Sequence, residues 1–255
     1  MSTLKAILFD MDDTLIDWSK FDGQFHQLEL NRFQSVCNYL VGLGHTPPTP
    51  TWLVEQLPQR AERSWKMGHE TLISPHLAHL IMDLFFEAGI PKTALDVPTL
   101  VEHYGWDAAP GVMPFEDVPP VLDLFVQHGI QLGIVTNAFQ TASMRLRELE
   151  TQSLLHYFPD CVITAADIGR LKPHPSIFQA ALSALNAQPD ETVFVGDNLV
   201  ADVLGSQRMG MKGVWRKVAH HQYAQATQDS IMPDATITDF SQLLPHLDAW
   251  FPAWR

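Results

Sequence analysis

Lys5-Ala-Ile-Leu-Phe9-Asp10-Met-Asp12-Asp13-Thr14 is the stretch on which the reading of the chain turns. Its first half is a short apolar run halted by Asp10, the pattern of a strand buried on both faces in a parallel sheet. A carboxylate thus stands at the strand end, a second follows two residues on, and a hydroxyl two further. That spacing aims Asp10 and Asp12 into one crevice and leaves a loop carbonyl available to a cation. Taken alone, an acidic strand end is as readily a solvated loop or a helix cap.

Four further apolar runs lie downstream: Gln131-Leu-Gly-Ile-Val135, Cys161-Val-Ile-Thr164, Thr192-Val-Phe-Val195 and Lys212-Gly-Val-Trp215. Between them, Val118 to His128, Ala142 to Leu149, Ile177 to Leu185 and Asp202 to Met209 show helical periodicity. Five strands alternating with helices predict an α/β fold, a doubly wound parallel sheet with right-handed crossovers. Polar residues sit just beyond the strand C-termini, the edge at which such sheets bind ligands. From about Ile16 to Ala108 the alternation stops. Amphipathic patterns at Phe25 to Leu43, Pro50 to Lys66 and His76 to Gly89 predict a helical insertion after the first strand, closed by the Ala109-Pro110-Gly111 turn. The expected division is a Rossmann-like core of residues 1–15 and 109–255 and a smaller all-helical domain of residues 16–108.

The chain has 255 residues, 46% hydrophobic and 18% charged, the composition of an ordinary globular protein. Its formal charge of −13 argues against a nucleic-acid polymer or an anionic membrane surface as partner. An anionic substrate must then be held by local positive charge. Cys37 and Cys161 are far apart, form no metal-like pattern and read as reduced apolar residues. With neither a signal-like nor a membrane-length apolar run, the expected location is cytoplasmic.

Three more motifs follow in order: Ile134-Val-Thr136-Asn137, then Lys172-Pro173, then Gly196-Asp197-Asn198 with Asp202. With Asp10-Met-Asp12-Asp13-Thr14 ahead of them, the chain resembles the phosphatase branch of the haloacid dehalogenase superfamily over nearly its whole length. The helical insertion takes the place of that family's C1-type cap, which closes over the site and sets selectivity.

The resemblance implies a Mg²⁺-dependent phosphomonoester hydrolase working through an aspartyl-phosphate. Asp10 would be the nucleophile and Asp12 the general acid and base. Lys172 would neutralise the site, and Thr14, Thr136 and Asn137 would contact the phosphoryl group. Asp10, Asp197 and the main-chain carbonyl of Asp12 would hold the metal, with Asp202 and Asn198 orienting it from behind. Asp202 would serve equally as a helix cap, and Gly196 lets the backbone turn tightly beside the metal. The implied substrate is a small phosphorylated metabolite: a sugar phosphate, phosphoglycolate or a nucleotide.

A phosphosugar mutase shares the two-Asp motif. A 2-haloacid dehalogenase would not need Asp12, and a non-catalytic phosphate-binding protein would not keep all four motifs. Arg60, Arg63 and Lys66 share a helix side beside Trp65 and read mainly as a solvated face. His220-His221 reads as a polar loop. Trp18, Phe21 and His26 lie where a cap linker approaches the substrate. The Trp250-Phe251-Pro-Ala-Trp254 tail reads as a helix end on the core or a subunit contact, and the apolar helical cap is compatible with a homodimer.

Overall fold

The computed structural model of the chain describes residues 3–21, 23, 25–221 and 230–255. Strand β1 (Ala6–Phe9) is fully buried, and its side chains alternate between two cores. Ile7 and Phe9 pack with Ile134, Val193 and Val195 on one face, while Ala6 and Leu8 pack with Val135, Phe178 and Phe194 on the other. A period of two with both faces apolar is what reads in sequence as an unbroken hydrophobic run.

Around β1 lies a six-stranded parallel sheet in the order β5-β4-β1-β6-β7-β8, with β4 at Gln131–Thr136, β5 at Val162–Thr164, β6 at Thr192–Gly196, β7 at Lys212–Arg216 and β8 at Ala235–Ile237. Phe9 stands opposite both Ile134 and Val195, so the ends of β1, β4 and β6 come level. The five expected strands are all present. The sixth, β8, carries an exposed Thr236 between two buried residues, so it leaves no unbroken apolar run and is recognisable only by its pairing with β7. A further pair, β2 (Ile16–Asp17) and β3 (Met113–Pro114), forms an antiparallel ribbon at the two ends of the helical segment.

That segment holds helices α1 (Phe25–Gly42), α2 (Pro50–Thr71), α3 (Leu77–Glu87) and α4 (Val97–Tyr104). Thr49 caps α2 by accepting the Trp52 amide, with Pro50 in the first turn, and Asp96 caps α4 in the same way through the Thr99 amide. Phe33, Leu40, Leu57, Ile81, Phe85 and Leu100 build a hydrophobic cluster of the segment's own, joined from outside by Met144. Backbone bonds fasten it to the sheet domain. Ile73 and Arg170 form an antiparallel bridge, flanked by Ser74 N to Gly169 O (3.2 Å) and Leu171 N to Leu72 O (3.0 Å), while Leu77 N donates to Phe139 O (2.7 Å).

The remaining helices are α5 (Val118–Gln127), α6 (Ala142–Thr151), α7 (Ala165–Ile168), α8 (Pro175–Ala184), α9 (Gly205–Arg208) and α10 (Leu243–Trp250), with a π-helical turn at Leu199–Leu204 leading into α9. The C-terminal Phe251 and Trp254 are buried in the main core, so the aromatic tail packs on its own domain. Both cysteines are free and buried, which pushes the Cys37 thiol up to about 11 and the Cys161 thiol up to about 12. Among the described residues no helix is long and apolar enough to cross a membrane.

At the β7 end, Arg216 is 2% exposed and donates both terminal nitrogens to Asp117 (2.9 and 3.0 Å), whose carboxylate also accepts the Phe240 amide at 2.7 Å. Asp117→Asn would leave that guanidinium buried without a counter-charge, so a stability loss of about 3 kcal/mol is expected in denaturant unfolding. A loss no larger than that of an exposed substitution would show that the pair does not hold this corner.

Candidate active site

Asp10 continues the ladder beyond β1, its amide donating to Val195 O at 2.9 Å. The chain then doubles back. Asp13 takes a left-handed conformation (φ 57°), one that Asp tolerates, and its amide donates to Ile16 O at 2.8 Å, while the amides of Leu15 and Ile16 both reach Met11 O. This compact loop turns Asp10 and Asp12 toward the same cavity, of about 400 Å³, which Thr136, Asn137, Phe139, Gln140 and Arg145 also line. Trp18 and, from α2, Trp65 complete its wall.

Lys172 enters from beneath. Its side chain is 1% exposed, and the ammonium meets Asp10 Oδ1 at 2.8 Å, Asp202 Oδ1 at 2.7 Å and the Val135 carbonyl at 2.7 Å. Burial disfavours its charge, but Asp10 and Asp202 outweigh that penalty and push its pKa up. The backbone at Lys172 is clamped by Asn137, whose Oδ1 accepts the Lys172 amide at 2.6 Å and whose Nδ2 donates to the Lys172 carbonyl at 3.3 Å. The Asn137 side chain is thus spent on placing Lys172. Thr136, at the end of β4 and 2% exposed, faces the cavity. Thr14 does not: it is fully buried and lines no part of the cavity, so its hydroxyl is not placed against a phosphoryl group. It belongs to the packing under the loop.

Behind Asp10, Asn198 caps the π-helical turn, its Oδ1 accepting the amides of Val200 and Ala201, and Asp202 Oδ2 accepts the Asn198 amide at 2.9 Å. Asp202 therefore both pairs with Lys172 and ties down the loop after β6. Gly196 is not at positive φ. It is required because a Cβ there would overlap the Asp202 carboxylate, a close approach rather than the tight turn expected.

Asp10, Asp197 and Asp202 bring carboxylate oxygens within 4.8 Å of one another. Burial, then the neighbouring carboxylates, raise Asp10 to about 7 and Asp197 to about 9, against the pull of Lys172. Buried hard-oxygen donors whose mutual repulsion lacks a full counter-charge fit a hard divalent cation such as Mg²⁺. His220 and His221 are not a free polar loop. Their Nε2 atoms meet the two oxygens of Asp13 at 2.9 and 2.8 Å, and His221 Nδ1 meets Asp197 Oδ2 at 3.0 Å.

Arg145 belongs to none of the four motifs, yet it stands in the site. It is 3% exposed and pairs with Asp12 through both terminal nitrogens, while Nη1 also meets Glu148 Oε2 at 2.7 Å. Glu148, 1% exposed, accepts the Trp106 indole N–H at 3.2 Å, and the Trp18 indole N–H donates to Asp12 at 2.8 Å. Asp12 and Glu148 overcome the cost of burying Arg145 and hold its pKa above the usual guanidinium value. Arg145 and Glu148 stand three apart on α6, the only trace of this pair in the sequence. The basic side of α2 takes no part. Arg60 pairs with Glu87, Arg63 donates to its own helix, and neither lines the cavity. A larger cavity of about 650 Å³ beside Arg216, Lys217 and His220 holds none of Asp10, Asp12 and Thr136.

A family model of the haloacid dehalogenase-like hydrolases matches residues 4–210. The chain belongs to this family. As such a hydrolase it is 29% identical over 241 residues to a glyceraldehyde 3-phosphate phosphatase of Methanopyrus kandleri, covering 94% of this chain and 96% of that one. It is also 37% identical over 137 residues to pyrophosphatase PpaX of Bacillus mycoides, across 53% of this chain and 60% of the relative. Among solved structures, a haloacid dehalogenase phosphatase from Thermococcus onnurineus matches at 26% identity, TM-score 0.57 and 96% of this chain against 98% of its own. A 2-haloacid dehalogenase from Pseudomonas syringae shares the fold at 23% identity and TM-score 0.60, over 97% of this chain and all of its own. Phosphatase relatives spanning most of the chain place this hydrolase among the phosphatases of the family.

Two outcomes test the electrostatics. Asp197 rises from an ordinary 3.8 to about 9, so the folded state holds its proton more tightly than the unfolded chain. The stability this proton gives is complete below pH 4 and drains away as pH climbs toward 9. In chelator, Asp197→Asn should therefore melt close to wild type at pH 4 and above it at pH 9; coincident curves at both would refute the shift. Separately, Arg145→Met strands the buried Glu148 and should cost about 3–5 kcal/mol of stability, read by denaturant unfolding. A neutral result would mean the pair is not held in solution.

Proposed function

We propose that this protein is a phosphoric monoester hydrolase that transfers the phosphoryl group of a small metabolite to Asp10 and then to water. The single observation that carries the reading is Asp10 at the end of the central strand, 2.8 Å from a buried ammonium, with a second carboxylate two residues on facing the same cavity. The phosphatase relatives support it independently.

In the first step an Asp10 oxygen attacks phosphorus, the bond from phosphorus to the ester oxygen breaks, and Asp12 gives that oxygen its proton. In the second, Asp12 takes a proton from water as the water oxygen attacks phosphorus and the Asp10–phosphorus bond breaks, releasing phosphate. Lys172 compensates charge on Asp10 and on the phosphoryl oxygens, and the Thr136 hydroxyl donates to one of them. Arg145 and Trp18 hold Asp12 at the cavity. Mg²⁺, held by Asp10, Asp197 and the Asp12 carbonyl, would supply the remaining neutralisation of the transferring group. Asp12 favours phosphoryl transfer over halide displacement, for which a second carboxylate has no use. The helical segment serves as the cap, with residues 16–108 as its span, and Trp65 as its contribution to the cavity wall.

Phosphate release from a panel of monoesters should require Mg²⁺, vanish with chelator and fall below detection in Asp10→Asn. Asp12→Asn should lose about 10²–10⁴-fold in kcat. Mg²⁺-dependent turnover that survives Asp10→Asn would sink the nucleophile assignment.

A further inference from the structure

Building on the phosphatase reading of Asp10, we infer that the cavity selects phosphomonoesters whose leaving group is uncharged and discriminates against those bearing a second anion, a carboxylate or another phosphate. The charges of the cavity carry this. Among the described residues, Arg145 is the one cation that lines it, and its terminal nitrogens are committed to Asp12 and Glu148. The three donors of Lys172 meet Asp10, Asp202 and the Val135 carbonyl. The residues outside the description contain no Lys or Arg at all.

With Asp13 set against His220 and His221, the carboxylates of Asp10, Asp12, Asp197, Asp202 and Glu148 still outnumber the charges of Lys172, Arg145 and one divalent cation together. A transferring phosphoryl group adds to that excess. A second anion on the leaving group would then be stripped of water beside Trp18, Trp65, Ala138 and Phe139 with no counter-charge to meet it. Trp65 and Phe139 lie 5.7 Å apart, ring centre to ring centre, one from the helical segment and one from the sheet domain. Such walls suit the C–H face of a neutral polyol or aldehyde, or an aryl ring. Gln140 provides a neutral polar contact.

Two relatives stand on opposite sides of this division. Glyceraldehyde 3-phosphate, in the name of the Methanopyrus phosphatase, leaves as a neutral aldehyde, whereas pyrophosphate, in the name of the Bacillus enzyme, leaves as phosphate. The lining of the cavity places this chain with the first.

A matched pair tests the inference on the wild-type protein with Mg²⁺. Glyceraldehyde 3-phosphate and 3-phosphoglycerate differ only in an aldehyde against a carboxylate, three bonds or more from phosphorus. With phenyl phosphate and pyrophosphate alongside, kcat/KM for the two esters of neutral leaving groups should exceed that for 3-phosphoglycerate and pyrophosphate by about tenfold or more. Trp65→Arg, which puts a cation on the wall, should narrow the ratio for the matched pair. Equal or inverted ratios in the wild type would overturn the charge selectivity and leave the phosphatase reading standing. No phosphate from any of the four compounds would bring down both.

Discussion

A single buried ammonium organises this molecule. Lys172 is almost without solvent, and it stays charged only because two carboxylates and a carbonyl converge on it from three different elements: Asp10 after β1, Asp202 from the π-helical turn and Val135 within β4. Such a group is costly to bury and costlier to strand. Each partner is therefore fixed in turn. Gly196 yields its side-chain volume to Asp202, Asn137 grips the Lys172 backbone at both ends, and the level ends of β1, β4 and β6 follow from a register that places Phe9 between Ile134 and Val195.

The surplus of negative charge over this one ammonium defines the chemistry. Asp10 and Asp197 are pushed toward neutrality by burial and by neighbouring carboxylates, which is an unstable arrangement for the protein by itself and a receptive one for a hard cation. Arg145 plays a parallel part a turn away, shared between Asp12 and Glu148. The site thus contains two cations locked among carboxylates, with little left over for a ligand beyond its phosphoryl group.

How much of this could be read from the chain follows from what each feature depends on. β1, β4 and β6 were legible because burial on both faces leaves an apolar run, and Asp10, Thr136 and Asp197 because each sits where such a run stops. β8 was not, since the exposed Thr236 interrupts what would be its apolar run. Arg145 and Glu148 look like an ordinary surface pair on α6, and nothing local says that the helix points them inward; only the approach of Asp12, 133 positions away, makes them part of the site. His220 and His221 misled for the same reason, their partners Asp13 and Asp197 being remote in sequence. Thr14 misled in the opposite sense, because spacing along the loop gives no direction, and the doubled-back turn points it into the packing. Long-range electrostatics, unlike periodicity, leaves no mark within a short window.

The backbone bridge between Ile73 and Arg170 has a dynamic meaning. The loop joining α2 to α3 is hydrogen-bonded to the very stretch that ends in Lys172, with Leu171 donating to Leu72 one residue before the ammonium. A displacement of the helical segment away from the sheet domain would part these bonds and pull on the peptide that carries the buried ammonium. The position of the helical segment and the placement of Lys172 are thereby coupled through the main chain itself, so that neither is set independently of the other.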